Sequence, residues 1–101
     1  MYGYLWIDTK YALRYTTLFK KQRKLLVKRG YDIALLDNVI AMLANGQELP
    51  KKYRDHALTG NLKGKRDCHI RPDWLLIYEI NGHELTLLLC ATGTHADIFG
   101  E

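Results

Sequence analysis

The side chains best suited to moving protons in this 101-residue chain are four histidines, His56, His69, His83 and His95. Imidazole titrates near neutrality, so a group of them supplies both a general base and a general acid. His83 follows directly on Asn81-Gly82, a turn signal, and reads as plain surface. The other three stand in separate stretches: His56 in "YRDHALTG", His69 in "RDCHIRPDW" and His95 in "GTHADIFG". Asp73 adds a carboxylate that could take a proton. Lys65, Arg66 and Arg71 add cations suited to a phosphate, and Trp74 and Phe99 add flat rings on which a nucleobase stacks. Base, acid, cation and stacking platform together suit cleavage of single-stranded RNA. The 2′-hydroxyl is then the internal nucleophile, and neither a metal nor another cofactor is required.

Every one of these residues also has a plainer reading. A lone His at a strand end is more often a hydrogen-bonded bystander than a catalyst. Trp74 and Phe99 fit a hydrophobic core, Arg66 and Arg71 could keep a sheet edge soluble, and Asp67 could pair with one of those arginines. A metal site built from His56, His69, His95 and Asp73 is the alternative chemistry, but no HxxxH or CxxC spacing supports it.

Charge is unevenly spread. All fifteen Lys and Arg fall between Lys10 and Arg71, where five acids leave a balance of +10, whereas residues 72–101 carry five acids and no cation. Such segregation points to a basic face shaped for a polyanion. No apolar run reaches the length of a membrane span, and "MYGYLWIDTK" lacks the basic and long apolar segments of a secretion signal. Cys68 and Cys90 lie in apolar strand-like runs and read as buried free thiols in a reducing cytosol, a disulfide between them being the alternative. The expectation is one soluble cytoplasmic domain over residues 1–101, with no membrane partner.

The elements that must position the histidines follow from periodicity. "YALRY" (11–15) reads as a strand, and from residue 16 the period becomes helical, with Leu18, Phe19, Leu25 and Leu26 as the apolar stripe and Gly30 as the stop. Asp32 reads as the N-cap of a second helix striped by Ile33, Leu36, Ile40 and Leu43, which "NG" at 45–46 ends. Residues 47–64 show no sustained period and read as a long functional connection. Three strands follow, at 65–70, 74–80 and 84–91, the middle one apolar on both faces and the last two joined by an Asn81-Gly82 hairpin. The predicted fold class is α+β, in the order β-α-α-β-β-β, with a helical hairpin on one face of a mostly antiparallel sheet and a tail that leaves it.

The string "KKYRDHALTGNLKGKRDCHIRPDWLLIYEI" followed by "ATGTHADIFG" closely resembles the YafQ branch of the RelE superfamily, bacterial toxin ribonucleases of type II toxin–antitoxin pairs. DH-x-L-x-G, G-x-R-D-x-H-x-x-PDW-x-L-x-Y and GTH-x-x-(L/I)-F occur in that order over residues 55–99. "LRYTTLFKKQRKLLVKRGYD" resembles the family's first strand and helix, so the likeness spans residues 11–100 and leaves 1–10 as an extension. The resemblance implies metal-independent cleavage of mRNA, typically in the ribosomal A site, by an active site matching His56, His69, Asp73, Trp74, His95 and Phe99. It also implies inhibition by a cognate small acidic antitoxin, with operator DNA bound and the operon repressed only by the toxin–antitoxin complex. Within that set we expect His95 as general acid, Asp73 or His69 as base, and His56 steadying the phosphate with Lys65 and Arg66. Trp74 and Phe99 would hold the base or seal the site. Two rival readings are a non-catalytic RNA- or DNA-binding module on the same basic face and a structural, ribosome-associated protein.

Overall fold

A switch of period at Thr16 turns the first strand into the first helix. Its hydroxyl accepts the Phe19 N–H at 2.9 Å as N-cap and donates to the Cys90 carbonyl at 2.7 Å, tying the switch to a distant strand. The computed structural model describes residues 9–100, so the 1–10 extension lies almost wholly outside the described residues. Strand β1 (Ala12–Tyr15) leads into helix α1 (Thr17–Lys28) and helix α2 (Ile33–Ala44). The connection after them holds more order than its sequence suggested: a 3-10 turn at Lys51–Tyr53, the short strand β2 (His56–Ala57) and a second turn at Gly60–Leu62. Strands β3 (Arg66–Arg71), β4 (Trp74–Asn81) and β5 (Thr86–Gly93) precede helix α3 (His95–Phe99).

The five strands form one sheet in the order β1-β5-β4-β3-β2, with β1 parallel to β5 and the other pairs antiparallel. This is the α+β class expected, with β2 as an added edge strand. Phe19 and Leu26 of α1 and Leu36, Val39, Ile40 and Leu43 of α2 pack with Cys68, Leu76, Tyr78, Leu87 and Leu89 in one core. On the other face a smaller cluster of Ile77, Cys90 and Ala91 is covered by Leu58, Leu88 and Ile98. Both cysteines are buried free thiols, one in each cluster, and burial raises both above the ordinary thiol range. Among the described residues no helix is long and apolar enough to cross a membrane.

Four local expectations change. Leu18 and Leu25 are not in the core; each is 52% exposed, because Phe19 and Leu26 are the residues of α1 that are buried. Asp32 stands at the N-cap of α2 but makes no side-chain capping bond. The hairpin between β4 and β5 is longer than a two-residue turn: Asn81 Oδ1 accepts the N–H groups of His83 and Glu84, each at 3.0 Å, and β5 begins only at Thr86. Trp74 is no stacking surface. It is 1% exposed, its indole N–H donates to Thr92 Oγ1 at 3.1 Å, and Tyr31 meets it edge-on at 5.0 Å between centroids.

The tail is pinned. Thr94 and Asp97 form a reciprocal capping box, Arg29 at the end of α1 reaches Asp97 at 3.0 Å, and the backbone N–H of His95 donates to Asp73 Oδ1 at 3.0 Å. Gly93 allows this close return: a Cβ there would sit 2.8 Å from the Asp97 side chain.

Two outcomes follow from this packing. Trp74→Ala should lower folding stability by about 3–5 kcal/mol, a large share of the ~5–15 kcal/mol of an ordinary domain, as read by chemical denaturation. Asp73 lies below the usual carboxylate value of 3.8, chiefly because it accepts the backbone N–H of His95, and Asp97 does so chiefly because it accepts that of Thr94. Depressed folded values stabilise above the unfolded pKa and cease to do so as pH falls through the folded one. Docking of α3 should therefore be complete at neutral pH and be released below about pH 4, with the core still folded, as followed by NMR shifts of Asp73, His95 and Asp97.

Candidate active site

Strand register brings the histidines together. His56 on β2 lies opposite Asp67 on β3, His69 opposite Leu75 on β4, and Leu75 opposite Gly93 on β5, two residues before His95. Because side chains alternate along β3, Cys68 and Ile70 enter the helix-covered core while Asp67 and His69 face the other way. The result is a row of three rings, with centroids 6.5 Å apart from His56 to His69 and 5.9 Å from His69 to His95.

Two of the rings are oriented by hydrogen bonds to different partners. His56 Nδ1–H donates to the Arg54 carbonyl at 2.8 Å, leaving Nε2 3.7 Å from Asp67 Oδ2. One oxygen of Asp73 accepts both the backbone N–H and the Nδ1–H of His95, so Nε2 of His95 is the nitrogen left for a substrate. Asp73 is thereby held below the usual carboxylate range, with one oxygen taken by two N–H groups. Asp73 acts on His95, fixing its tautomer and angle.

Asp67 was read only as a possible arginine partner, and the structure places it elsewhere. It is 5% exposed beneath the histidine row, Oδ2 faces His56, and Oδ1 has no hydrogen-bond partner among the described residues. Burial raises its pKa above the ordinary carboxylate range, while His69, His56 and His95 pull it back. The signal was present in the sequence, since Asp67 and His69 are two residues apart on a strand and must share a face.

The cations divide differently from the expectation. Arg66 is taken up by Asp55, through Nε at 3.3 Å and Nη2 at 3.2 Å, and Asp55 also accepts the Tyr78 hydroxyl. That knot fastens the segment carrying His56 to the sheet, so Arg66 is a support. Lys65 pairs with Glu79 at 3.1 Å, a surface contact of modest strength. Arg71 remains exposed at the end of β3, beside a cavity it shares with His69. Phe99 is 41% exposed and lines an apolar groove of about 390 Å³ with Leu18, Ile77, Leu88 and Ile98. His83 lies in the β4–β5 turn, away from the row.

A profile of the family described as bacterial toxin of type II toxin-antitoxin system, YafQ, matches residues 11–100. The mRNA interferase toxin YafQ of Escherichia coli strain K12 is 40% identical over 89 residues, which is 87% of this chain and 95% of that protein. The crystal structure of the E. coli DinJ-YafQ toxin-antitoxin complex superposes with a TM-score of 0.83 at 39% identity, covering 90% of this chain and 99% of that one. A metal-bound toxin from Helicobacter pylori superposes equally well, with a TM-score of 0.83 at 44% identity over 88% of this chain and 99% of that one. Among the described residues no group of three or more His, Cys, Asp or Glu lies in an arrangement that could hold a metal ion. Matched along residues 11–100 and 40% identical to a relative over nearly all of that relative's length, the chain belongs to the YafQ family of bacterial toxins of type II toxin–antitoxin systems.

Proposed function

We propose that this protein is an endoribonuclease that cleaves mRNA, on the ribosome and in the A site, by acid–base chemistry without a metal. The observation that carries the reading is the row His56–His69–His95, with Asp73 fixing the outer ring. A phosphodiester laid against His69 and His95 meets a proton acceptor and a proton donor at once. His69 takes the proton of the 2′-hydroxyl, the 2′-oxygen attacks phosphorus, and the P–O5′ bond breaks. His95 Nε2 gives a proton to the departing 5′-oxygen, leaving a 2′,3′-cyclic phosphate and a 5′-hydroxyl end. His56, backed by Asp67, faces the same phosphate and supplies positive charge when protonated. Family membership supports the substrate class: the E. coli relative is named an mRNA interferase. Translating ribosomes place the activity in the cytoplasm.

The proposed inhibitor is a cognate small acidic antitoxin, as the E. coli relative assembles with DinJ, and only the complex binds operator DNA. Helix α1 supports this. Its exposed surface mixes Lys20, Lys21 and Lys24 with Leu18, Leu25 and Val27, the last three each at least 50% exposed. A flexible acidic segment that orders on binding matches both the charge and the apolar area, including the groove beside Phe99.

His95→Ala should reduce cleavage on programmed ribosomes by ~100–10,000-fold while the protein stays folded, and wild-type cleavage should survive selective chelation of transition metals. Asp73→Asn should cost less and move the pH–rate profile, since it removes the charge behind His95 while keeping a hydrogen-bond acceptor. A folded His95→Ala variant with wild-type cleavage would remove His95 from the mechanism. Lys20→Glu/Lys21→Glu/Lys24→Glu should slow association with an acidic antitoxin and flatten its salt dependence in stopped-flow mixing.

A further inference from the structure

A cavity of about 440 Å³ opens beside His69, walled by Lys52, Tyr53, Arg54, Arg71 and Pro72, with Leu35 of α2 and Ile70 as apolar floor. Its size falls in the ~300–1,000 Å³ range of small-ligand pockets, enough for one nucleotide. Three cations line it, and no carboxylate does. Among the described residues Lys52, Arg54 and Arg71 have no carboxylate partner, whereas Arg23, Arg29, Lys65 and Arg66 all have one. Lys52 Nζ instead rests 5.1 Å from the centre of the Tyr53 ring.

The backbone ties this cavity to the histidine row. Arg54 holds a left-handed conformation (φ 50°), unusual for a residue with a side chain, at the end of the 3-10 turn. Its carbonyl is the group that accepts from His56, so the strained residue points a cation into the cavity wall while orienting a ring of the row. On the far wall, a break in the β3–β4 register between His69 and Arg71 redirects the strand end. Two edges of one site, one from each side of β3, thus converge on unpaired positive charge.

We propose that this cavity is an RNA subsite, seating the nucleotide next to the cleaved phosphodiester. Lys52, Arg54 and Arg71 hold the phosphates that flank it, and the base rests on Tyr53, Pro72 and Leu35. This rests on the ribonuclease reading above and shifts the binding cations from Lys65 and Arg66, which are spoken for, to residues that are not. The site binds without contributing to proton transfer, so it governs affinity and the position of cleavage.

The test uses a short single-stranded RNA carrying 2′-O-methyl groups throughout, which has no nucleophile and reports binding alone by fluorescence anisotropy. Lys52→Gln/Arg71→Gln should weaken binding about tenfold and make the slope of log K against log salt shallower by about 1.4, two phosphate contacts at ~0.7 each. Lys28→Gln/Lys63→Gln removes the same charge elsewhere and should bind like wild type. Equal affinity and slope in the cavity variant, equal loss in the control, or no binding by wild type would each overturn the subsite. Cleavage of ordinary RNA is scored separately. A wild type that cleaves nothing, with the cavity-specific binding loss intact, sinks the ribonuclease reading and leaves the subsite standing.

Discussion

Strand β4 is buried on both faces from Trp74 to Tyr78, and the placement of the histidine row follows from that burial. Trp74, Leu76 and Tyr78 meet the helices, while Leu75 and Ile77 lie under the opposite surface, all of them 3% exposed or less. A one-residue slip of either neighbour would carry apolar side chains into water and polar ones into the core, so register is strongly specified. With both ladders locked, His69 and Gly93 flank Leu75, and the residues just beyond the strand ends, Asp73 and His95, meet. Chemistry at one end of the sheet is positioned by the core beneath it.

Three carboxylates support the histidine row, and each is used differently because its surroundings differ. Asp55 is saturated by Arg66 and Tyr78 and acts as a clamp on the β2 segment. Asp73 is in open solvent, and the two N–H groups it accepts from His95 hold it below the ordinary carboxylate range. Asp67 is buried with one oxygen unpaired among the described residues, a costly placement that the adjacent imidazoles offset when protonated. Negative charge lies beneath and beside the rings, while cations without a carboxylate partner among the described residues line the neighbouring cavity. The protein so separates the carboxylates packed against the histidine row from the cations gathered at the cavity.

The sequence alone determined the fold class, the two helices, the central place of β4, and the common face of Asp67 and His69. These depend on local period, and a period of two or of 3.6 residues is visible without coordinates. The ordered motifs around His56, His69 and His95 were equally plain. Boundaries set by side-chain bonds were less so: the Asn81 turn lengthened the hairpin, and β2 appeared inside a stretch with no period of its own because an existing edge recruited it.

Only tertiary structure decided which polar and aromatic residues were spent and which were free. Trp74 went to the core because Thr92 on β5 satisfied its N–H in the dry interior, whereas Leu18 and Leu25 were left outside because α1 meets the sheet along a narrow stripe. Arg66 and Lys65 were neutralised by Asp55 and Glu79, 11 and 14 residues away, while Lys52, Arg54 and Arg71 were gathered around a cavity. Spacing along the chain carries no record of such pairings. A charge is cancelled by whatever lies within a few ångströms, and that neighbour is chosen by the packing of the sheet.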